Sequence, residues 1–139
     1  MFSNVFVSIE SFKSSPLIGR GFGSHILSRE IFLNEIDGIE GFDQYITLNA
    51  KDANSLFARV TSDLGLIGIC FVFLFIKRNY VNGYSINGII SKCILGYFIC
   101  KLIRDGHYFS PEMYFFVFLF YYNYKHFTEL KEIKIKELN

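Results

Sequence analysis

The run over residues 64–76, LGLIGICFVFLFI, contains no charged residue and is followed directly by a Lys-Arg pair. A helix that crosses a bilayer needs about 20 mostly apolar residues. The run reaches that length only if the helix begins near Leu56, with Arg59 and Asp63 paired on one face near a membrane surface. The pattern predicts a membrane-spanning helix, and the central helix of a soluble protein is the alternative.

Two further stretches repeat this pattern. The second, INGIISKCILGYFICKLI over residues 86–103, is apolar except at Asn87, Lys92 and Lys101. Lys92 is unfavourable in hydrocarbon, so it is either a functional-site candidate or a residue at the membrane surface. The third, residues 107–124, has an unbroken apolar core with Tyr towards both ends, as membrane interfaces prefer. The sequence therefore predicts an all-α, polytopic membrane protein with about three transmembrane helices and an N-terminal extramembrane segment containing short helices.

The positions of Lys and Arg predict the orientation of these helices, because basic residues near span ends favour the cytoplasmic side. They follow the first and the third stretch, which puts both of those flanks inside and everything before residue 56 outside. The predicted organisation is an outer segment at 1–55, a three-helix membrane region at 56–124 and a cytoplasmic tail at 125–139. The basic residues that decide this are Lys77, Arg78, Lys125, Lys131, Lys134 and Lys136.

The residues before Leu56 are largely polar, and no apolar stretch among them is long enough to lead them across a membrane. We therefore expect the chain to be the C-terminal part of a longer polytopic protein. A small, complete three-span protein is the alternative.

Glycine and proline divide this outer segment into short elements. Pro16 ends a first amphipathic element, and the three glycines of GRGFG form a turn before Ser24, a predicted N-cap. The helix that follows contains Ile26, Ile31, Phe32 and Ile36 and ends at Gly38. Glycine N–H groups ahead of a helix can bind anions, but the spacing here matches no dinucleotide or P-loop fingerprint. A tight turn without a ligand is the favoured interpretation.

Charge and cysteine content exclude other classes of function. The net charge is only +1, and no basic stripe with interleaved aromatic residues is present, so we expect no nucleic-acid partner. Cys70, Cys93 and Cys100 lie inside apolar stretches without paired spacing, and we predict that they are small buried hydrophobic residues.

Three motifs together resemble a known family. PLIGRGFGS, then NSLFARVTSDLGLIG entering a span, then RDGHYF in the following loop resemble the C-terminal third of bacterial O-antigen polymerases, the Wzy family, which are relatives of the O-antigen ligases. The ligase pattern has His-Asn where this chain has Asn54 and Ser55, a difference that favours the polymerase. The resemblance covers nearly the whole chain.

The resemblance implies a multi-pass protein of the bacterial inner membrane, with residues 1–55 periplasmic. It implies transfer of a growing O-antigen or capsular glycan from undecaprenyl diphosphate to a lipid-linked repeat unit, without a metal or other cofactor. The implied partners are the bilayer, the undecaprenyl-diphosphate-linked oligosaccharide and a chain-length regulator.

This chemistry needs cations beside the departing diphosphate and a base for the attacking hydroxyl. On the outer side, Arg20 and Arg104 are the predicted diphosphate-binding residues, with Arg59 a weaker candidate because of Asp63. His107 and Asp63 are the predicted bases. Arg104 and His107 could instead be interfacial residues that bracket a loop. The alternatives to a polymerase are a ligase relative and a small non-catalytic membrane protein, either a gene remnant or an assembly partner.

Overall fold

All regular structure in the computed structural model is helical. It describes residues 2–34, 55–104, 107–108 and 110–138, and these ranges contain helices but no strand. The prediction of an all-α fold is confirmed. The helices are α1 (Phe2–Ser14), α2 (Ser24–Asn34), α3 (Leu56–Asn79), α4 (Ile86–Arg104) and α5 (Pro111–Leu138). The predicted Ile36 and the predicted stop at Gly38 lie outside the described residues.

Helices α3 and α4 begin where the first two predicted spans begin, at Leu56 and Ile86. Both are long and apolar enough to cross a membrane. Only 28% of the most apolar stretch of α3 and 22% of that of α4 is buried, whereas the core helix of a soluble protein would be mostly buried. Among the described helices, only these two meet this test of length and composition.

The third predicted stretch lies in α5, which starts at Pro111 and continues for 28 residues. Proline suits the first turn of a helix, and the Ser110 hydroxyl accepts a hydrogen bond from the Met113 N–H at 3.3 Å, as an N-cap does. The apolar part of α5 ends at Tyr122, and polar and charged residues follow from Asn123 onwards. A third crossing therefore remains a prediction.

The chain divides into two compact units. The first contains residues 1–73 and 100–107, and the second contains residues 74–99 and 108–139. The predicted division into periplasmic segment, membrane region and tail is a separate matter and stays a prediction.

The first unit has a polar interior. Helix α1 packs against α2, and its buried stripe consists of Asn4, Val7, Ser8 and Ser11, which recur at helical spacing. The buried face of α2 carries Ser24, His25, Ser28 and Arg29. The apolar Ile26 and Ile31 of the predicted helix are exposed instead.

The second unit has an aromatic core. Ile94, Phe98 and Phe120 are buried at its centre, with the Phe98 and Phe120 rings edge to face at 5.6 Å between centroids. Tyr97 stacks on Phe116 at 3.9 Å between centroids. Aromatic pairs of this kind add to the stabilisation from burial itself.

A buried amide joins α5 to α4 in the same unit. The Asn123 Nδ2 group donates to the backbone carbonyl of Asn87 at 2.9 Å and to the Ser91 hydroxyl at 3.0 Å. The Ser91 hydroxyl in turn accepts a hydrogen bond from the Val81 N–H at 3.2 Å. Such contacts between helices are common in membrane proteins, where small and polar residues bring helices together.

The prediction for the cysteines is wrong. Cys70, Cys93 and Cys100 are free thiols on the exposed side of their helices. An apolar stretch indicates an apolar environment, but it does not distinguish a protein interior from a lipid-facing surface.

Candidate functional site

Helix α3 is broken at Gly65, whose backbone has φ 59° and ψ −147°. In an unbroken helix the N–H groups of Leu66 and Ile67 would bond to the carbonyls of Ser62 and Asp63, four residues earlier. Both of those bonds are replaced here. The segment between α1 and α2 satisfies all four groups through the following hydrogen bonds: Arg20 N–H to Ser62 O (3.0 Å), Gly21 N–H to Asp63 O (2.9 Å), Leu66 N–H to Pro16 O (2.9 Å) and Ile67 N–H to Leu17 O (3.1 Å).

Two glycines make this close approach of backbones feasible. A Cβ on Gly19 would lie 2.5 Å from the Asp63 carbonyl, and a Cβ on Gly65 would lie 2.6 Å from the Gly19 nitrogen. Both glycines also have positive φ, a conformation that other residues rarely adopt. The predicted glycine turn is therefore present, and its backbone is hydrogen-bonded to α3 where that helix is broken.

The side chain of Asp63 completes the same structure. Its Oδ2 accepts a hydrogen bond from the Gly23 N–H at 3.0 Å, and its Oδ1 accepts from the His25 N–H at 3.0 Å and from the Ser24 hydroxyl at 3.1 Å. The side chain is fully buried. The glycine-rich turn thus does hold an anion ahead of a helix N-terminus, and that anion is a carboxylate of the protein itself.

This corrects the predicted cap of α2. The helix begins at Ser24 as predicted, but the Ser24 hydroxyl donates to Asp63. Asp63 accepts from the His25 N–H in the first turn of α2 and from the Gly23 N–H just before it, and so replaces an N-cap side chain from a distant part of the chain.

His25 is buried beside this carboxylate, with 1% of its surface exposed. Its Nδ1 lies 3.0 Å from the Ser62 hydroxyl, and its Nε2 has no hydrogen-bond partner among the described residues. Burial lowers the pKa of His25 from 6.5 to about 4. The negative charge of Asp63 opposes this shift, and the positive charges of Arg59 and Arg29 add to it. His25 is therefore neutral at pH 7.

The predicted residues Arg20, Arg59 and Asp63 come together at this site. The Arg59 Nε lies 3.8 Å from the Asp63 Oδ2, which confirms the predicted pairing one helical turn apart. The backbone of Arg20 belongs to the junction, meaning the four backbone hydrogen bonds that join residues 16–21 to residues 62–67 of α3. The Arg20 side chain is exposed, and its guanidinium lies 5.1 Å from the centre of the Phe32 ring.

The other two predicted site residues lie at the end of α4, in the same compact unit. Arg104 is the last residue of α4, and both Arg104 and His107 are exposed. The Ser55 hydroxyl, at the start of α3, donates to the carbonyl of Leu102 at 2.6 Å and so ties the two helix ends together.

The predicted site residues differ in how far their side chains are exposed. The side chains of Arg20, Arg104 and His107 are exposed, whereas that of Asp63 is buried and its carboxylate oxygens accept hydrogen bonds from internal donors. This geometry supports a structural role for Asp63, and its assignment as a base stays a prediction. Within the described ranges, no three His, Cys, Asp or Glu side chains group closely enough to hold a metal ion.

Sequence reasoning did not single out His25, Arg29 or Ser62 as members of a buried cluster. The available signal was the combination of a glycine-rich turn, which offers backbone donors for an anion, with an aspartate two residues before a glycine at the start of an apolar run.

In comparisons with known proteins, the chain matches no family model, no curated protein and no solved structure at the threshold applied.

Proposed function

We propose that the chain is the C-terminal part of an integral-membrane polysaccharide polymerase of the O-antigen polymerase family. The observation that carries the proposal is that two of the three motifs behind the resemblance form one substructure. PLIGRGFGS and TSDLGLIG are separated by 36 residues, yet four backbone hydrogen bonds and the Asp63 carboxylate join them. Motifs that together build one joint are expected to recur together in a family.

In this proposal the protein lies in the bacterial inner membrane and α5 forms the third crossing. The segment before α3 then belongs to the periplasmic side, and residues 125–139 belong to the cytoplasm. The Lys-Arg pair at the end of α3 and the lysines of α5 support this orientation. Reporter fusions after Arg78 and after Asn139 test it, since both must report the cytoplasmic side.

The proposed reaction is a glycosyl transfer. A hydroxyl oxygen of the lipid-linked repeat unit attacks the anomeric carbon of the growing chain. The bond from that carbon to the diphosphate oxygen breaks, undecaprenyl diphosphate leaves with the electron pair, and a base takes the hydroxyl proton. Arg20 and Arg104 are proposed to bind the diphosphate, because a guanidinium offers a rigid fork of donors to phosphate oxygens. His107 is the proposed base.

Asp63 and Arg59 have a different role in this proposal. The buried Asp63 carboxylate holds residues 15–23, the glycine-rich segment between α1 and α2, against α3. Arg59 supports this carboxylate through their ion pair. Together they would position Arg20, whose backbone belongs to the junction.

The test is to replace Arg20 and Arg104 separately by alanine at the native gene locus and to examine the length distribution of surface polysaccharide on gels. Both variants are expected to lose long chains while single repeat units persist. Arg20→Lys should lose most of this activity because it keeps the charge but not the fork. Arg78→Ala removes an exposed arginine from the other end of α3 and is the matched control. Normal ladders from both Arg20→Ala and Arg104→Ala would refute the assignment.

A second candidate is a non-catalytic membrane protein, such as an assembly partner. The observation that favours it is that Asp63 and His25, the two most enclosed titratable groups of the site, are both held inside the protein. On this alternative, deletion of the gene leaves polymer length unchanged, whereas loss of long chains on deletion would exclude it.

A further inference from the structure

We infer that the apolar outer surface of the glycine-rich segment and α2 is embedded in the outer leaflet of the bilayer, in contact with lipid acyl chains. This surface, called the outer patch, consists of Leu17, Ile18, Phe22, Ile26, Leu27 and Ile31. The inference rests on the membrane placement and orientation in the proposed function, but it concerns where this segment lies and would hold for any activity of the chain.

The first observation is the reversal of polarity in this unit. The six side chains of the outer patch are 43–68% exposed. The interior that they leave behind is polar, with Asn4, Ser11, Ser28 and Asp63 each at most 1% exposed. In water this arrangement would be unfavourable for two reasons: apolar side chains would be exposed to water, and polar side chains would be removed from it. In hydrocarbon the same arrangement is favourable, because the apolar side chains contact lipid and the polar side chains are kept inside the protein.

The second observation is the depth of the junction. The segment is hydrogen-bonded to Leu66 and Ile67, the third and fourth residues of the uncharged run 64–76 of α3, and therefore close to the outer end of that run. These two residues are themselves 46% and 58% exposed, as expected for lipid-facing positions of a span. Residues bonded to them at the helix surface must lie at a similar level, beyond the headgroups of one leaflet.

The third observation is that the N–H groups of Leu66 and Ile67 and the carbonyls of Ser62 and Asp63, which the break in α3 separates, all have hydrogen-bond partners. Irregular backbone is tolerated at membrane depth only where protein or water satisfies its polar groups. The four hydrogen bonds of the junction meet that condition. At 13 and 11 residues, α1 and α2 are too short to cross a bilayer.

The charged residue of the segment is placed to fit this arrangement. Arg20 is exposed next to Phe32, at the edge of the outer patch. A long arginine side chain can extend from an apolar surface to the phosphate level of the headgroups.

Tryptophan fluorescence provides the test, since the chain contains no tryptophan of its own. Phe22→Trp and Leu27→Trp place single probes on the outer patch. Phe71→Trp, at a 71% exposed position of the apolar run of α3, is the control for a site in lipid. Ile133→Trp, on the charged end of α5, is the control for a site in water. Each variant is reconstituted in phosphatidylcholine vesicles with bromine at a shallow or a deep position of the acyl chain.

We expect the two outer-patch probes to be quenched by bromolipid, with the shallow bromine the more effective, and Ile133→Trp to be unaffected. If both outer-patch probes behave like Ile133→Trp while Phe71→Trp is quenched, the inference is overturned and the membrane assignment of α3 stands. If their emission is blue-shifted but no bromolipid quenches it, protein covers the patch and the inference is also overturned. If even Phe71→Trp is unquenched, the inference and the membrane part of the proposed function fail together.

Discussion

Replacement of Asp63 is the perturbation that separates a structural role from a catalytic one. Asp63→Asn keeps the size of the side chain and one acceptor oxygen, which can still accept from Ser24 and His25. Its amide nitrogen, however, would face the Gly23 N–H and the Arg59 guanidinium, which are also donors. Asp63→Ala removes every acceptor and leaves these donors buried.

The structure indicates the size of both effects. A hydrogen bond to a charged group contributes about 1.5–3 kcal/mol, so Asp63→Asn should lower the free energy of unfolding by about 2 kcal/mol. Removing one partner of a buried ion pair costs about 3–5 kcal/mol, and Asp63→Ala should lie in that range. Because whole domains are stable by only about 5–15 kcal/mol, the glycine-rich segment should detach from α3 in the alanine variant.

The assay is unfolding of the purified chain in mixed micelles by a denaturing detergent, followed by circular dichroism. Limited proteolysis between α1 and α2 reports detachment of the segment directly. Glu30→Gln removes an exposed carboxylate from α2 and serves as the control, with an expected change within about 0.5 kcal/mol. If Asp63→Asn is as stable as Glu30→Gln but polymer formation is abolished, Asp63 is a catalytic group and the structural account is refuted.

Three further predictions follow from other parts of the molecule, each measured by the same detergent titration. Gly65→Ala should destabilise the chain by clearly more than Gly21→Ala. Both glycines have positive φ, but a Cβ on Gly65 would meet the backbone of the glycine-rich segment, whereas a Cβ on Gly21 would have open space; equal effects would contradict the close approach. The pKa of His25 falls from 6.5 to about 4 on folding. Between these two pH values the imidazole is protonated in the unfolded chain but neutral in the folded chain. The free energy of unfolding should therefore fall by about 3 kcal/mol as pH drops from 6.5 to 4 and change no further below pH 4. His25→Asn should lack this part of the pH dependence, and an unchanged pH profile in that variant would refute the assignment. Asn123→Ala should cost about 0.6–1.7 kcal/mol through its two lost hydrogen bonds, and an unaltered midpoint would show that the amide does not join α4 to α5.

The helices were largely predictable because their signals are local. The starts of α3 and α4 follow from apolar stretches that begin at Leu56 and Ile86, and α2 begins at the predicted Ser24. The extent of α5 was less clear, since its charged second half is helical although only its first half is apolar. Composition along a single segment distinguishes a helix from a loop, but it does not identify which surface of that helix is covered.

The candidate site was predictable only in part. The pairing of Arg59 with Asp63 follows from a spacing of four residues in a helix. The capture of Asp63 by Gly23 and His25 joins residues about 40 positions apart, and no local pattern encodes such a pair. The sequence predicted a tight turn at the glycines and favoured no bound anion there, and only the fold shows that the Asp63 carboxylate accepts hydrogen bonds from this turn.

The amino-acid sequence by itself determined the helical class, the two helices able to cross a membrane and the glycine turn, because each depends on hydrophobicity or backbone freedom within a short window. Tertiary structure alone decided that α3 opens at Gly65, that the glycine-rich segment replaces its missing hydrogen bonds and that the first unit has polar groups inside and apolar groups outside. The physical reason is that a buried backbone or carboxylate group must find a partner wherever the fold supplies one. In this chain the partners come from the segment between α1 and α2 and from the first residues of α2.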